Sequence, residues 1–324
     1  MRSVILVGVL LLMMVLIGPA CTLVEVNLGP KMAPLEERTI AGSGEAKVLM
    51  VDISGVMLPG NTRPDWPVWS AGESMASRLA EELARARLDP LVQAVLVRIN
   101  SPGGAVSTAD LLYYQIKRFR EETGIKVVAA LMDTGASGGY YAALAADRIV
   151  ALPTTITGSI GVISLTLNIS GLMHRYGVET QTVKSAPLKD MWSPFRPATE
   201  EERRIMQGLI DALYARFKAK VRENRPGMTE DQLEEAGRAQ VFTAPQALEL
   251  GLIDQTAYPE EAFDFTKEIN GLTEARLVVY HRPGAYRPNI YSLGPNPPVS
   301  MNVSDFLSLG GAPQLMYLWL PGIE

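Results

Sequence analysis

Short apolar runs alternate with stretches of helical period along most of this chain. Val48 to Ile53 is a compact β-branched run that reads as a buried strand. Met75, Leu79, Leu83 and Ala86 then recur at helical spacing and predict an amphipathic helix that ends before Pro90. Val92 to Ile99 predicts a second strand, which runs into Asn100-Ser101-Pro102-Gly103-Gly104. A helix of about 15 residues follows, with Leu112, Ile116 and Phe119 on one face. Lys126 to Met132 and Arg148 to Leu152 predict two further strands. Strands that alternate with helices, and that are apolar without alternation, indicate an α/β fold with a largely parallel sheet covered on both faces.

The second half is less regular. A helix is expected near Ile169 to Tyr176 and a strand near Thr180 to Lys184. The loop Ser185 to Asp190 follows, with a lysine in apolar company. Thr199 with Glu202 forms a capping box that opens a long helix to about Glu223, its inward face Met206, Leu209, Leu213, Phe217 and Val221. Thr229 with Gln232 opens a shorter helix by the same device. Val241 to Asp254 reads as strand, helix and glycine-ended turn, and Leu277 to His281 as a last strand. Between Arg282 and Ser300 prolines and glycines dominate, so no packed core is expected there. The apolar patch of Leu315, Met316, Leu318, Trp319 and Leu320 is expected to pack on its own domain or on a neighbour.

The N-terminus changes the picture. Arg2 precedes Val4 to Ile17, which holds no charge, and the apolar segment extends through Val24. A basic flank and then an apolar run is the pattern of a secretory signal or an anchor, with the basic end cytoplasmic and the bulk of the chain outside. The expected organisation is therefore an anchor or signal over 1–27, a tether over 28–46, one α/β domain over 47–281 and a Pro/Gly-rich tail over 282–324. Cys21 is the only cysteine, which excludes an intrachain disulfide. It follows Gly18-Pro19-Ala20, similar to a bacterial lipoprotein processing site but without the usual leucine three residues earlier. A lipid and a plain anchor would both hold the chain on a membrane. The net charge of −5 gives no sign of a nucleic-acid partner.

Candidate chemistry centres on Asp133 to Tyr141, D-T-G-A-S-G-G-Y-Y. An apolar strand that turns sharply into a helix would place Ser137 where backbone N–H groups point outward, as a nucleophile requires. An ordinary glycine-rich turn with a capping serine has the same local pattern. Serine nucleophiles need a base, and the chain has only two histidines, His174 and His281, neither in such a loop. Lysine is the remaining candidate. Its amine, near ~10.4 in water, would need lowering by roughly 2–3 units to act at neutral pH. Lys189, among Ala186, Pro187, Leu188, Met191 and Trp192, suits an apolar pocket better than Lys184.

The motifs also occur in a known order. A-S-G-G-Y-Y at Ala136 to Tyr141 resembles the nucleophile motif of the signal peptide peptidase A (protease IV) family. N-S-P-G-G at 100–104, T-G-S-I-G-V at 157–162, L-K-D at 188–190, G-R-A-Q-V-F-T at 237–243 and A-L-E-L-G-L-I-D at 247–254 match in sequence. The resemblance implies the crotonase/Clp protease-like fold, with 47–281 as a single copy of the peptidase domain. It also implies Ser137 as nucleophile, Lys189 as general base, Ser159 as the hydroxyl that orients the lysine, and Gly138 and Gly104 as oxyanion donors. No cofactor or metal is implied. In that family serine and lysine come from different copies, so a ring-like homo-oligomer with shared sites is implied. The expected activity is a membrane-anchored, extracytoplasmic endopeptidase acting on hydrophobic peptides such as signal-peptide remnants. A crotonase-type acyl-CoA enzyme and a catalytically silent membrane scaffold of the same fold are the alternatives.

Overall fold

The computed structural model describes residues 33–60, 73–284, 287–292 and 314–319. Strand β1 (Glu36–Gly42) is followed by β2 (Lys47–Ser54), helix α1 (Met75–Leu88), β3 (Val92–Ser101) and β4 (Gly103–Ala105). Next come α2 (Val106–Thr123), β5 (Val127–Ala136), α3 (Gly138–Ala143), β6 (Arg148–Ala151), β7 (Ile156–Gly158) and β8 (Ile163–Leu165). The remainder is α4 (Ser170–Arg175), a 3-10 turn (Pro187–Asp190), α5 (Glu200–Asn224), α6 (Glu230–Ala236), β9 (Val241–Thr243) and α7 (Ala244–Glu249). It ends with β10 (Gln255–Thr256), α8 (Pro259–Ile269), β11 (Arg276–His281) and β12 (Gln314–Leu318).

The main sheet runs β1-β11-β2-β3-β5-β6-β10, parallel from β11 to β10, with β1 antiparallel on its edge. Helices flank it, which is the expected α/β class with a mostly parallel sheet. Strand period divides each central strand between two apolar layers. Leu49, Val51, Val95, Val97, Ala129 and Leu131 face Leu83, Leu112, Ile116 and Phe119 of α1 and α2. Val48, Met50, Ala94, Leu96, Val128 and Ala130 face Ala262 and Phe263 of α8. This double burial is why the strands read as continuous apolar runs. Removing a fully buried ring such as Phe119 would cost about 3–5 kcal/mol.

β5 is the strand that places the site. Its first half pairs with β6 (Val128↔Arg148 to Leu131↔Ala151) and its last residues with β7 (Thr134↔Ile156 to Ala136↔Gly158). A second, three-stranded sheet has the order β4-β12-β8.

Several expectations are corrected. Within the expected tether, Glu36 to Gly42 is an edge strand on β11, because an unpaired edge accepts a polar strand without apolar periodicity. Thr180 to Lys184 forms no strand and lies exposed, since no sheet edge receives it. On α5, Met206, Phe217 and Val221 are buried but Leu209 is exposed. An apolar period marks a face, and nothing in the period says how far a neighbour covers it. The tail is also packed in part. Arg287 and Ile290 are buried, with Arg287 Nη1 2.7 Å from Asp52. Arg98 donates to Asp52 at 2.6 Å and to the Ile290 and Ser292 carbonyls at 2.5 Å each. Among the described residues no helix is long and apolar enough to cross a membrane, and the segment read as an anchor lies outside them.

Candidate active site

β5 and β7 end side by side. The register Ala136↔Gly158 leaves Ser137 and Ser159 as the residues directly after the ends of adjacent parallel strands. Ser137 N–H closes the junction by donating to the Gly158 carbonyl at 2.8 Å. Both serines have φ of 51°, in the left-handed region that costs a non-glycine residue about 1–3 kcal/mol. Backbone hydrogen bonds on both strands sustain the strain. Tyr141 N–H donates to the Ser137 carbonyl at 2.8 Å and starts α3, while Ser159 N–H donates to the Gln240 carbonyl at 2.8 Å. Gly139 has to be glycine, because a Cβ there would sit 2.6 Å from the Ser101 carbonyl oxygen.

Ser137 is 1% exposed, and its Oγ has no hydrogen-bond partner among the described residues. Orphaned buried hydroxyls are uncommon, each costing about 1–3 kcal/mol, and need a reason. A reacting group that must meet a substrate supplies one.

The loop after β3 is locked by its own polar groups. Ser101 Oγ donates to the Gly55 carbonyl at 2.7 Å and accepts from Gly103 N–H at 3.1 Å. Met57 N–H donates to the Gly103 carbonyl at 2.8 Å, and Ala105 N–H donates to the Met57 carbonyl at 2.7 Å. Strand alternation therefore turns the N–H and C=O of Gly104 to the opposite edge, away from Met57. Gly104 has φ of +155°, and a Cβ there would strike the Met57 carbonyl oxygen. A Cβ on Gly103 would lie 2.6 Å from Gly138 N, so the two glycine loops touch.

Lys189 stands apart. It lies on the exposed 3-10 turn and has no side-chain partner among the described residues, so the apolar pocket expected from its neighbours is not formed within one chain. The turn itself is clasped. Asp190 is 2.7 Å from Lys184 and 2.9 Å from Arg196, and Arg196 reaches Glu202 at 2.5 Å. Arg196 and then Lys184 hold the Asp190 carboxyl well below the usual carboxylate range. Arg196 likewise lowers Glu202 to about 2. His281 is buried at a strand end with Nδ1 2.9 Å from the Arg282 carbonyl oxygen, and His174 is exposed on α4, so neither meets Ser137. Among the described residues no His/Cys/Asp/Glu cluster could hold a metal. The open groove lined by Asp89, Gln93, Lys126 and Asn270 lies at the amino ends of β3 and β5, opposite the serines.

Comparison with known proteins settles the family. The model described as peptidase family S49 matches residues 119–273. A protein of Enterococcus faecium named as a signal peptide peptidase SppA is 33% identical over 245 residues, 76% of this chain and 70% of that protein. The chain belongs to peptidase family S49, the signal peptide peptidase A family. The chloroplastic serine protease SPPA of Arabidopsis thaliana is 30% identical over 71% of the chain, and protease 4 of Salmonella typhi 29% over 75%. The chain spans 34% and 38% of those two relatives' own lengths.

The protein is therefore a serine protease of the signal peptide peptidase type. The S49 match includes Ser137, Ser159 and Lys189 but begins after Gly104. Reading the sequence missed Met57 and Ser101, which lock the Gly104 loop, and Gly103, which lets it touch Gly138. N-S-P-G-G carried a signal for Ser101 and Gly103. Met57 carried none, because its part is played by backbone alone. Tyr317 was missed as well. It is fully buried and stacks on Tyr141 at 5.1 Å between ring centroids, with Phe217 at 4.7 Å.

Proposed function

We propose that this S49 protein is a membrane-anchored, extracytoplasmic endopeptidase with a Ser/Lys dyad, cleaving hydrophobic peptides such as signal-peptide remnants. The buried, unpartnered Ser137 Oγ at a strained strand-to-helix turn carries the reading. Ser137 Oγ attacks the scissile carbonyl, and neutral Lys189 takes its proton and later returns it to the leaving amine. Ser159 accepts or donates a hydrogen bond that holds the lysine toward Ser137. The N–H groups of Gly138 and Gly104 receive the oxyanion. No metal or cofactor takes part. The N-terminal apolar segment, lipidated at Cys21 or plain, anchors the chain.

Lys189 acts on a neighbouring subunit. In one chain no residue from 161 to 201 is buried, and Leu167, Leu172, Tyr176, Val178, Val183 and Phe195 are exposed on that segment. So much exposed apolar surface fits an interface between copies, which would also give Lys189 the dry surroundings a neutral amine needs. A ring-like homo-oligomer follows. Full-length protein in detergent should cleave a hydrophobic peptide, and Ser137→Ala and Lys189→Ala should each lose at least about 1,000-fold in rate. Near-wild-type hydrolysis by either variant would remove the dyad, whereas absence of hydrolysis by the wild type itself would favour the silent scaffold.

A further inference from the structure

Two lysines stand close together in the exposed segment, and the fold treats them differently. Lys184 Nζ donates to the Pro187 carbonyl at 2.9 Å and to Asp190 Oδ1 at 2.7 Å. Its ammonium is thus engaged by both ends of the Pro187–Asp190 turn. Lys189, inside that turn, has no side-chain partner among the described residues. Its chain neighbour Asp190 is a carboxylate, and an uncompensated carboxylate beside an amine favours the ammonium. A lysine that serves as a base has to lose that proton.

Arg196 answers the conflict. Its Nε and Nη2 donate to the two Asp190 carboxylate oxygens at 3.0 and 2.9 Å, and Nη2 also reaches the Asp190 carbonyl at 3.0 Å. On its other side Nη1 and Nη2 donate to Glu202 at 3.0 and 2.5 Å, and Nη1 reaches the Pro197 carbonyl at 3.1 Å. A planar fork bound in this way fixes direction as well as charge. Glu202 is the first buried residue after Ile160, and it accepts the Thr199 N–H at 2.8 Å in the capping box of α5. Arg196 therefore ties the turn that carries Lys189 to a rigid point of the core.

The charges of the clasp cancel. Lys184 and Arg196 are matched by Asp190 and Glu202, whose carboxyls are both held well below the ordinary range by these partners. Glu200 and Arg203, the next charges on α5, pair with each other at 3.1 Å. Helix α4 joins the segment through Ile169 N–H, which donates to the Pro194 carbonyl at 2.8 Å, and carries His174 and Arg175, both exposed.

We infer that Arg196 is a positioning residue for the base: with Lys184 it cancels the Asp190 charge and holds the turn in one conformation, so that the adjoining Lys189 amine can give up its proton. The inference rests on the proposed Ser/Lys reading and deepens it. It also assigns the two lysines separate work. Lys184 keeps its proton to neutralise Asp190, and Lys189 is left free to exchange one.

The test measures kcat and KM of full-length protein in detergent on a hydrophobic peptide, from about pH 5 to about pH 10. The ascending limb of kcat/KM against pH reports the base of the free enzyme. Arg196→Ala exposes the Asp190 charge and should move that limb up by about one pH unit. Its kcat should fall at least about ten-fold, with KM changed by less than about two-fold. Asp190→Asn removes the charge and leaves both cations, so its limb should move down by about half a unit. The double variant should return the limb to the wild-type position while kcat stays low, because the fork is still missing. If thermal unfolding shows Arg196→Ala misfolded, Lys184→Met replaces it and should move the limb in the same direction. Limbs that coincide, or that move the same way in the two single variants, overturn the inference and leave a merely structural clasp. Lys189→Ala is measured beside them. Wild-type hydrolysis by that variant would remove the dyad and the inference together, whereas an inactive Lys189→Ala with coincident limbs would remove the inference alone.

Discussion

The two halves of the proposed site are built in opposite ways. Around Ser137 the backbone is held on every side. β5 pairs with β7, Ser101 and Met57 lock the Gly104 loop, and Tyr140 and Tyr141 sink α3 into the core. No residue from 161 to 201 around Lys189 is buried, and a clasp of Asp190 and Arg196 on the buried Glu202 takes the place of packing. The contrast teaches how one chain can carry an incomplete enzyme. Its nucleophile half is finished during folding, because strain at φ of 51° needs a rigid surround. Its proposed base half is held in shape by charge and exposes apolar side chains such as Leu172, Tyr176 and Val183.

The largest effect should come from joining the halves across subunits. Ser137→Ala and Lys189→Ala chains, each inactive, should recover about a quarter of wild-type activity when co-refolded at equal amounts, since random neighbours complete that share of shared sites. No recovery after verified exchange would place both halves in one chain and erase the contrast.

Next in size is damage to the preformed half. Gly139→Ala forces a Cβ to 2.6 Å from the Ser101 carbonyl oxygen, with backbone on both sides and no way to yield. It should lower unfolding stability in urea by about 1–3 kcal/mol and reduce hydrolysis far more than stability. A neutral outcome would mean the turn is softer than its geometry.

Smaller effects should distinguish the halves by pH. The Glu202 carboxyl is lowered to about 2 by Arg196, from its ordinary 4.5. A depressed acid stabilises the fold above its unfolded value, and that contribution fades as pH falls from about 4.5 through about 2. Hydrogen exchange across 187–202 should therefore accelerate on acidification in that window, by about ten-fold, while β5 stays protected. Arg196→Ala should remove the acid step and leave exchange fast throughout.

The smallest concerns Glu82 under the main sheet. Burial, opposed by Arg78, pushes its carboxyl up to about 7. A raised acid favours the fold below its unfolded value, and the benefit is lost as pH rises from about 4.5 through about 7. Glu82→Gln should flatten the fall in melting temperature over that range, by a few °C at most. An unchanged slope would show that other groups titrate there.

Much of this molecule was legible in its residues alone. Continuous apolar runs at Val48, Val92 and Lys126 could only be strands covered on both faces, and the capping boxes at Thr199 and Thr229 marked helix starts through local hydrogen bonds. Ser137 and Lys189 stood out as candidates from their local setting, whereas Ser159, Gly138 and Gly104 were named only through the family resemblance. The strands and helix starts are features in which neighbours along the chain supply the physics, through period or through a cap.

Features that depended on distant partners were not legible. β1 is polar and became a strand because β11 offered an edge. Thr180 to Lys184 has strand-like residues and stayed exposed because no edge was offered. Only the folded chain could bring Met57 against Gly104, separate Lys189 from Ser137, and thread Tyr317 between β4 and β8. Composition and motif order specify which groups can react. Which of them meet is decided by packing between segments far apart in the chain, where backbone hydrogen bonds and close contact carry the energy and leave no local pattern.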